Sequence, residues 1–220
     1  DGDGFGSGKR GDLGGRGDET RLIHQLTDWS VSRAGRDLRT IRRSAPVDRF
    51  FPLGINLSCA QLSSATVVDR FLANVDAVGL DPTDLVVEVT ETELVEDDST
   101  AERSLLALAE AGIQIAIDDF GAGYSSFDYL TRMPVTFLKI DRRLTHALPT
   151  NARSRRVLRA LVTMCLDMGV ALIAEGIETE AERAAYLDIG IEFGQGFLFK
   201  PAVALDELIA DLRAEVRSGG

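Results

Sequence analysis

The chain has 220 residues, 45% of them apolar, and a formal net charge of −11. That length suits one domain with a sizeable core. The acidic balance argues against long nucleic acid or an anionic membrane surface held by bulk attraction.

No apolar stretch approaches the roughly 18 residues of a spanning helix, and no secretory signal pattern opens the chain, so no membrane insertion is expected. Cys59 and Cys165 are too few and too isolated for a disulfide framework or a metal cage. Both read as ordinary buried thiols of a cytoplasmic protein. Residues 1–18 are rich in Gly, Asp, Lys and Arg with no hydrophobic period, and read as a disordered leader. Residues 19–217 read as the folded domain.

Leu22, Ile23, Leu26, Trp29 and Val31 fall at helical intervals, which predicts an amphipathic helix over 19–43. Alternation follows. Apolar runs at 51–57, 85–89, 113–118, 136–140, 171–175 and 196–199 are six strand candidates. Helices are predicted at 64–78, 100–111, 152–168, 180–189 and 205–217, with a short helical stretch at 125–132. Ser99-x-x-Glu102 and Thr179-x-x-Glu182 read as capping boxes, and Gly112, Gly169 and Gly190 as helix stops. Strands and helices joined by short connections predict βαβ units and a parallel sheet.

Side chains alternate between the two faces of a strand. In 113–118, Ile113, Ile115 and Ile117 share one face; Gln114, Ala116 and Asp118 share the other. The same test places Asn56, Glu88, Lys139 and Glu175 on the face opposite Ile55, Val87, Leu138 and Leu172, a face that Val86 and Ile173 share. Five strand ends therefore carry a polar residue on one parity. In a parallel α/β barrel such ends converge on one rim, where active sites form.

Three carboxylates and an amide, with Asp119 beside them, make an oxygen-rich anionic pocket. Without a cation these groups would repel and be poorly solvated. Hard divalent ions such as Mg²⁺ or Mn²⁺ take this ligand set; no His or Cys stands in it, which weighs against zinc. Lys139 in the same ring suits negative charge developing on oxygen. The chemistry implied is metal-assisted attack of water on a phosphoester, with two ions if Asp119 bridges. His24 and His146 fall outside the pattern.

These residues, in this order, resemble the EAL domain family of bacterial cyclic di-GMP phosphodiesterases. The matching segments are Ile55-Asn56-Leu57-Ser58, Val87-Glu88-Val89-Thr90-Glu91, the stretch from Asp118-Asp119-Phe120-Gly121 to Ser126, Leu138-Lys139-Ile140-Asp141, Ala174-Glu175-Gly176-Ile177-Glu178-Thr179, and Gly194-Gln195-Gly196-Phe197-Leu198-Phe199. The resemblance implies a TIM-like (βα) barrel, two Mg²⁺ or Mn²⁺ ions, and opening of cyclic di-GMP to pGpG. It implies Asn56, Glu88, Asp118 and Asp119 as metal ligands, and Lys139 and Glu175 as catalytic. It implies Gln195 and Glu178 lining the substrate site, and Glu91 holding the 120–126 loop. It also suggests a homodimer.

One departure stands out. The Glu-Ala-Leu motif that names the family is absent from these residues, and the Gly-rich 1–18 stands where it is expected. The expectation is thus an incomplete barrel of about six strands with the first two missing, either truncated or degenerate. Activity impaired by one missing metal ligand is expected with it. The alternative function is a non-catalytic module that binds cyclic di-GMP or a protein partner. An unrelated metal-dependent barrel hydrolase would leave the ordered motifs unexplained.

Overall fold

The computed structural model describes residues 13–45, 52–64, 66–91, 99–121, 127–145, 148 and 151–218. The long first helix, α1 (Leu13–Ser44), is followed by β1 (Leu53–Asn56), α2 (Cys59–Leu62) and α3 (Val67–Ala77). Then come β2 (Leu85–Thr90), α4 (Ser99–Glu110), β3 (Gln114–Phe120), α5 (Asp128–Arg132), β4 (Phe137–Ile140) and α6 (Arg142–Thr145). The chain closes with α7 (Ala152–Asp167), β5 (Ala171–Ala174), α8 (Glu180–Ile189), β6 (Phe193–Gly194) and α9 (Leu205–Ser218). The six strands are parallel and lie side by side in chain order, as a curled half-barrel.

The aliphatic face of each strand forms the core with the helices. Ile55, Val87, Ile115, Ile117, Leu138, Ile140 and Leu172 are all buried, against Leu38 from α1, Leu105 and Leu108 from α4, and Leu158 from α7. The alternation read from the sequence is thus the alternation of faces in the sheet.

Helix punctuation follows chemistry. Thr179 caps α8 with a complete capping box to Glu182, and Gly190 ends it at φ 92°. Gly112 and Gly169 follow α4 and α7 with positive φ, where a side chain would be strained. Ser99 is the first residue of α4; the residues before it lie outside those described. A second complete capping box, Ser58 with Gln61, opens α2.

Three expectations shift. First, α1 begins at Leu13, inside the stretch read as a disordered leader; residues 1–12 lie outside those described. Second, α1 buries Val31, Leu38 and Ile41, with Ala45 buried just past its end, while Leu26 and Trp29 are 63% and 59% exposed. The buried stripe also runs through Gly35, where a Cβ would sit 2.9 Å from the Val78 side chain, so the helix packs closely on the end of α3. Third, the last strand is Phe193–Gly194 and not 196–199. Pairing ends because the chain turns at Gly196, where a Cβ would fall 2.2 Å from the Ile177 carbonyl oxygen. Residues 125–126 of the predicted short helix, and His146, lie outside the described residues; α5 covers 128–132 of it.

Candidate active site

The inner face of the sheet carries the polar residues. Asn56 lies beside Glu88 in the β1–β2 register, and Glu88 beside Ala116, two residues before Asp118. Glu88 and Lys139 open on a cleft of about 380 Å³ that Gly54, Phe137, Phe193 and Gln195 also line. Gly54 makes room for this arrangement. A Cβ there would come 2.3 Å from Glu88 Oε1, so the Glu88 carboxylate lies across the β1 backbone.

Lys139 is the hub. Its Nζ bonds Glu88 Oε2 at 2.8 Å, Glu175 Oε1 at 2.9 Å and Asp118 Oδ2 at 3.1 Å. The lysine comes from β4, and its three partners from β2 and the ends of β3 and β5. Its side chain is only 7% exposed. Burial by itself would lower the pKa of the ammonium; the bonds from Glu88 and Glu175 outweigh it and hold the pKa above the lysine range.

Asp119 is turned by a positive φ of 56° at the shift of register between β3 and β4. This uncommon conformation for a non-glycine residue lets two successive carboxylates serve one site. Its backbone N–H donates to Asp118 Oδ1 at 2.9 Å. Asp118, Asp119 and Glu175 each offer an oxygen within 4.8 Å of the others. Burial, then the neighbouring charges of Asp118 and Asp141, push the Asp119 pKa up. Burial also raises Glu175, against the lowering effect of Lys139.

The remaining predicted residues sit around this cluster. Gln195 Nε2 donates to Glu175 Oε1 at 2.6 Å. Glu91, just past β2, is 2% exposed, and its Oε2 accepts from the Gly121 N–H at 2.9 Å. Glu178 is exposed and paired with Arg142 at 2.5 and 2.9 Å. The structure thus joins Glu88, Asp118, Lys139, Glu175 and Gln195 by direct bonds. It sets Asn56 and Asp119 beside them and Glu178 in a separate ion pair.

Sequence reasoning missed Gly54 and Arg142. The first shared the inward parity of Asn56. The second follows Asp141 directly, but nothing in its spacing pointed to Glu178.

Comparison with known proteins gives a consistent picture. A family model described as the EAL domain matches residues 16–202. The cyclic di-GMP phosphodiesterase NbdA of Pseudomonas aeruginosa is 33% identical over 195 residues, which are 87% of this chain and 25% of NbdA. The chain therefore spans about a quarter of the length of that relative. A solved cyclic di-GMP complex of the MucR phosphodiesterase, from the same organism, matches with a TM-score of 0.77 at 32% identity, covering 89% of this chain and 78% of that one. A manganese and cyclic di-GMP complex of BlrP1 from Klebsiella pneumoniae matches with a TM-score of 0.72 at 31% identity, covering 82% and 44%.

Proposed function

The chain belongs to the EAL domain family, and from that premise we propose that it is a metal-dependent phosphodiesterase domain for cyclic di-GMP, giving pGpG. One observation carries the proposal: carboxylates from three strands converge with Lys139 on a single rim of a parallel sheet. The named relatives and the complexes of similar structures support the choice of substrate.

The residues present fit a hard divalent cation. Asp118, Asp119 and Glu175 present converging oxygen donors with no His or Cys among them, the donor set of Mg²⁺ or Mn²⁺. We assign Asn56, Glu88, Asp118 and Asp119 as the holders of two such ions, with Glu175 beside them. Bound there, the ions would supply charge neutralisation at the phosphoester oxygens and an acidified water.

The chain's own groups do the rest. Lys139 presents a buried ammonium to negative charge developing on oxygen. Glu175, whose pKa burial raises, takes and returns a proton. Gln195 fixes the orientation of Glu175 and, with Glu178, faces the substrate. Glu91 anchors the turn at Gly121.

The two cysteines, Cys59 and Cys165, are free thiols and suit a reducing compartment such as the cytoplasm. A homodimer is supported by an apolar groove of about 740 Å³ lined by Phe120, Phe127, Leu144, Val157 and Leu161, which a second copy would cover. Among the described residues, no helix is long and apolar enough to cross a membrane.

A second reading keeps the ligand and removes the chemistry. It is favoured by one observation: Lys139 already engages the carboxylates of Glu88, Asp118 and Glu175. The test is hydrolysis of cyclic di-GMP with Mn²⁺, with chromatography of the product. We expect pGpG, lost in Glu88→Ala. Binding of cyclic di-GMP by a folded sample without turnover would replace the phosphodiesterase reading with the binding-module reading.

A further inference from the structure

The carboxylates at the rim have two uses at once. Asp118 and Glu175 belong to the group whose oxygens converge within 4.8 Å. The same two carboxylates bond the ammonium of Lys139, at 3.1 and 2.9 Å. Lys139 also bonds Glu88, at 2.8 Å. It stands on β4, between the strands that carry Asp118 and Glu175, with Leu138 and Ile140 on either side of it fully buried. Its stem is fixed by the sheet, so the ammonium cannot retreat far into solvent.

We propose that Lys139 is an internal competitor for the divalent cation. Its ammonium is the built-in counter-charge of the carboxylate cluster, and cation affinity is set by how readily Asp118 and Glu175 are drawn away from it. The inference rests on the metal-binding reading above.

Two physical effects follow from the geometry and have opposite signs. With Lys139 in place, an arriving cation meets a like charge a few ångströms away and carboxylates that are already engaged. With Lys139 neutralised, the cation binds more tightly. In the absence of a cation, however, Glu88, Asp118 and Glu175 then repel one another unscreened in a half-buried cleft. A lysine with a merely structural role would weaken both properties together when replaced.

The experiment compares the whole chain with Lys139→Met and with Lys139→Gln, the second keeping a hydrogen-bonding head and serving in place of the first if that variant does not fold. Each protein is stripped with a chelator and titrated calorimetrically with Mn²⁺. Its melting temperature is then recorded with and without Mn²⁺. Both variants should melt below the parent without Mn²⁺, bind Mn²⁺ about tenfold or more tightly, and gain more in melting temperature from saturating Mn²⁺.

Affinity that is unchanged or weaker in the variants overturns the proposal while leaving the metal site standing. Absence of Mn²⁺ binding in all three proteins overturns the metal-binding reading itself, and the proposal with it. Binding by the variants alone supports the proposal in its strongest form.

Discussion

The two faces of β3 obey different rules. Ile115 and Ile117 point outward and are fully buried; Asp118 points inward to a half-buried rim. The outer face needs only apolar bulk, because burial is non-directional and its worth scales with area. The inner face needs partners. Asp118 is useful only with Lys139, 21 positions later, and Glu175, 57 positions later, brought within hydrogen-bonding reach. One face is written locally, and the other only in the assembled sheet.

The largest effect therefore belongs to the outer face. Ile117→Ala removes buried bulk amid Ile115, Leu138 and Ile140. We expect a loss of about 2–5 kcal/mol in urea denaturation. A loss below about 1 kcal/mol would mean that the site collapses around the smaller residue, and the distinction between the faces would break down.

Glu91 sharpens the comparison, because it violates it. It shares the outward parity of Val87 and Val89 yet is a carboxylate, buried to 2% exposure. Its Oε2 accepts the Gly121 N–H, while its Oε1 has no partner among the described residues. Glu91→Ala should cost about 1–3 kcal/mol by leaving a backbone donor unsatisfied. Glu91→Gln keeps the acceptor and should cost clearly less in the same denaturation assay. Equal losses would show that the carboxylate charge, rather than the acceptor, holds the turn.

This division explains what could be read in the sequence. The period-2 pattern of 113–118 and the glycine stops at Gly112 and Gly190 depend on near neighbours, and they were legible. So was the inward set Asn56, Glu88, Asp118 and Lys139, because parity is a local property. Their bonding was not. That Lys139 is the hub depends on the curl of the sheet and on the β4–β5 register. The turned backbone of Asp119 depends on a register shift that no spacing announces. Short elements such as α2 and β6 have too few residues to show a period. The exposed Leu26 and Trp29 looked like a buried stripe because apolar spacing cannot say where α1 meets the sheet.

A local device should give a moderate and predictable effect. Thr179 accepts from Glu182 N at 3.2 Å, and Glu182 Oε2 accepts from the Thr179 N–H at 3.0 Å. Thr179→Ala should cost about 1 kcal/mol, within the ~0.5–2 kcal/mol seen for lost caps. Glu178 and Glu175 lie just upstream in the chain. If the cap acts only on α8, Mn²⁺ affinity stays constant while the melting temperature falls. A parallel loss of Mn²⁺ affinity would show that the rim depends on where α8 begins.

The smallest effect is expected where an ion pair has the same chemistry as the Lys139 cluster but lies in solvent. Arg132 on α5 meets Glu102 on α4 at 2.7 Å, a distance like those around Lys139. The difference is exposure: 42% and 26% for these side chains, against 7% for that of Lys139. Water and salt screen the exposed pair, and its long side chains lose entropy in holding one geometry. Arg132→Ala should therefore change stability by less than about 1 kcal/mol, and the change should shrink further in 1 M salt, where the screening length is about 3 Å. Lys139→Gln, measured in the same two buffers, should keep most of its effect at high salt, because its partners share a cleft that bulk ions screen poorly. A common salt dependence for the two variants would mean that burial does not separate them, and that the rim is an ordinary surface cluster.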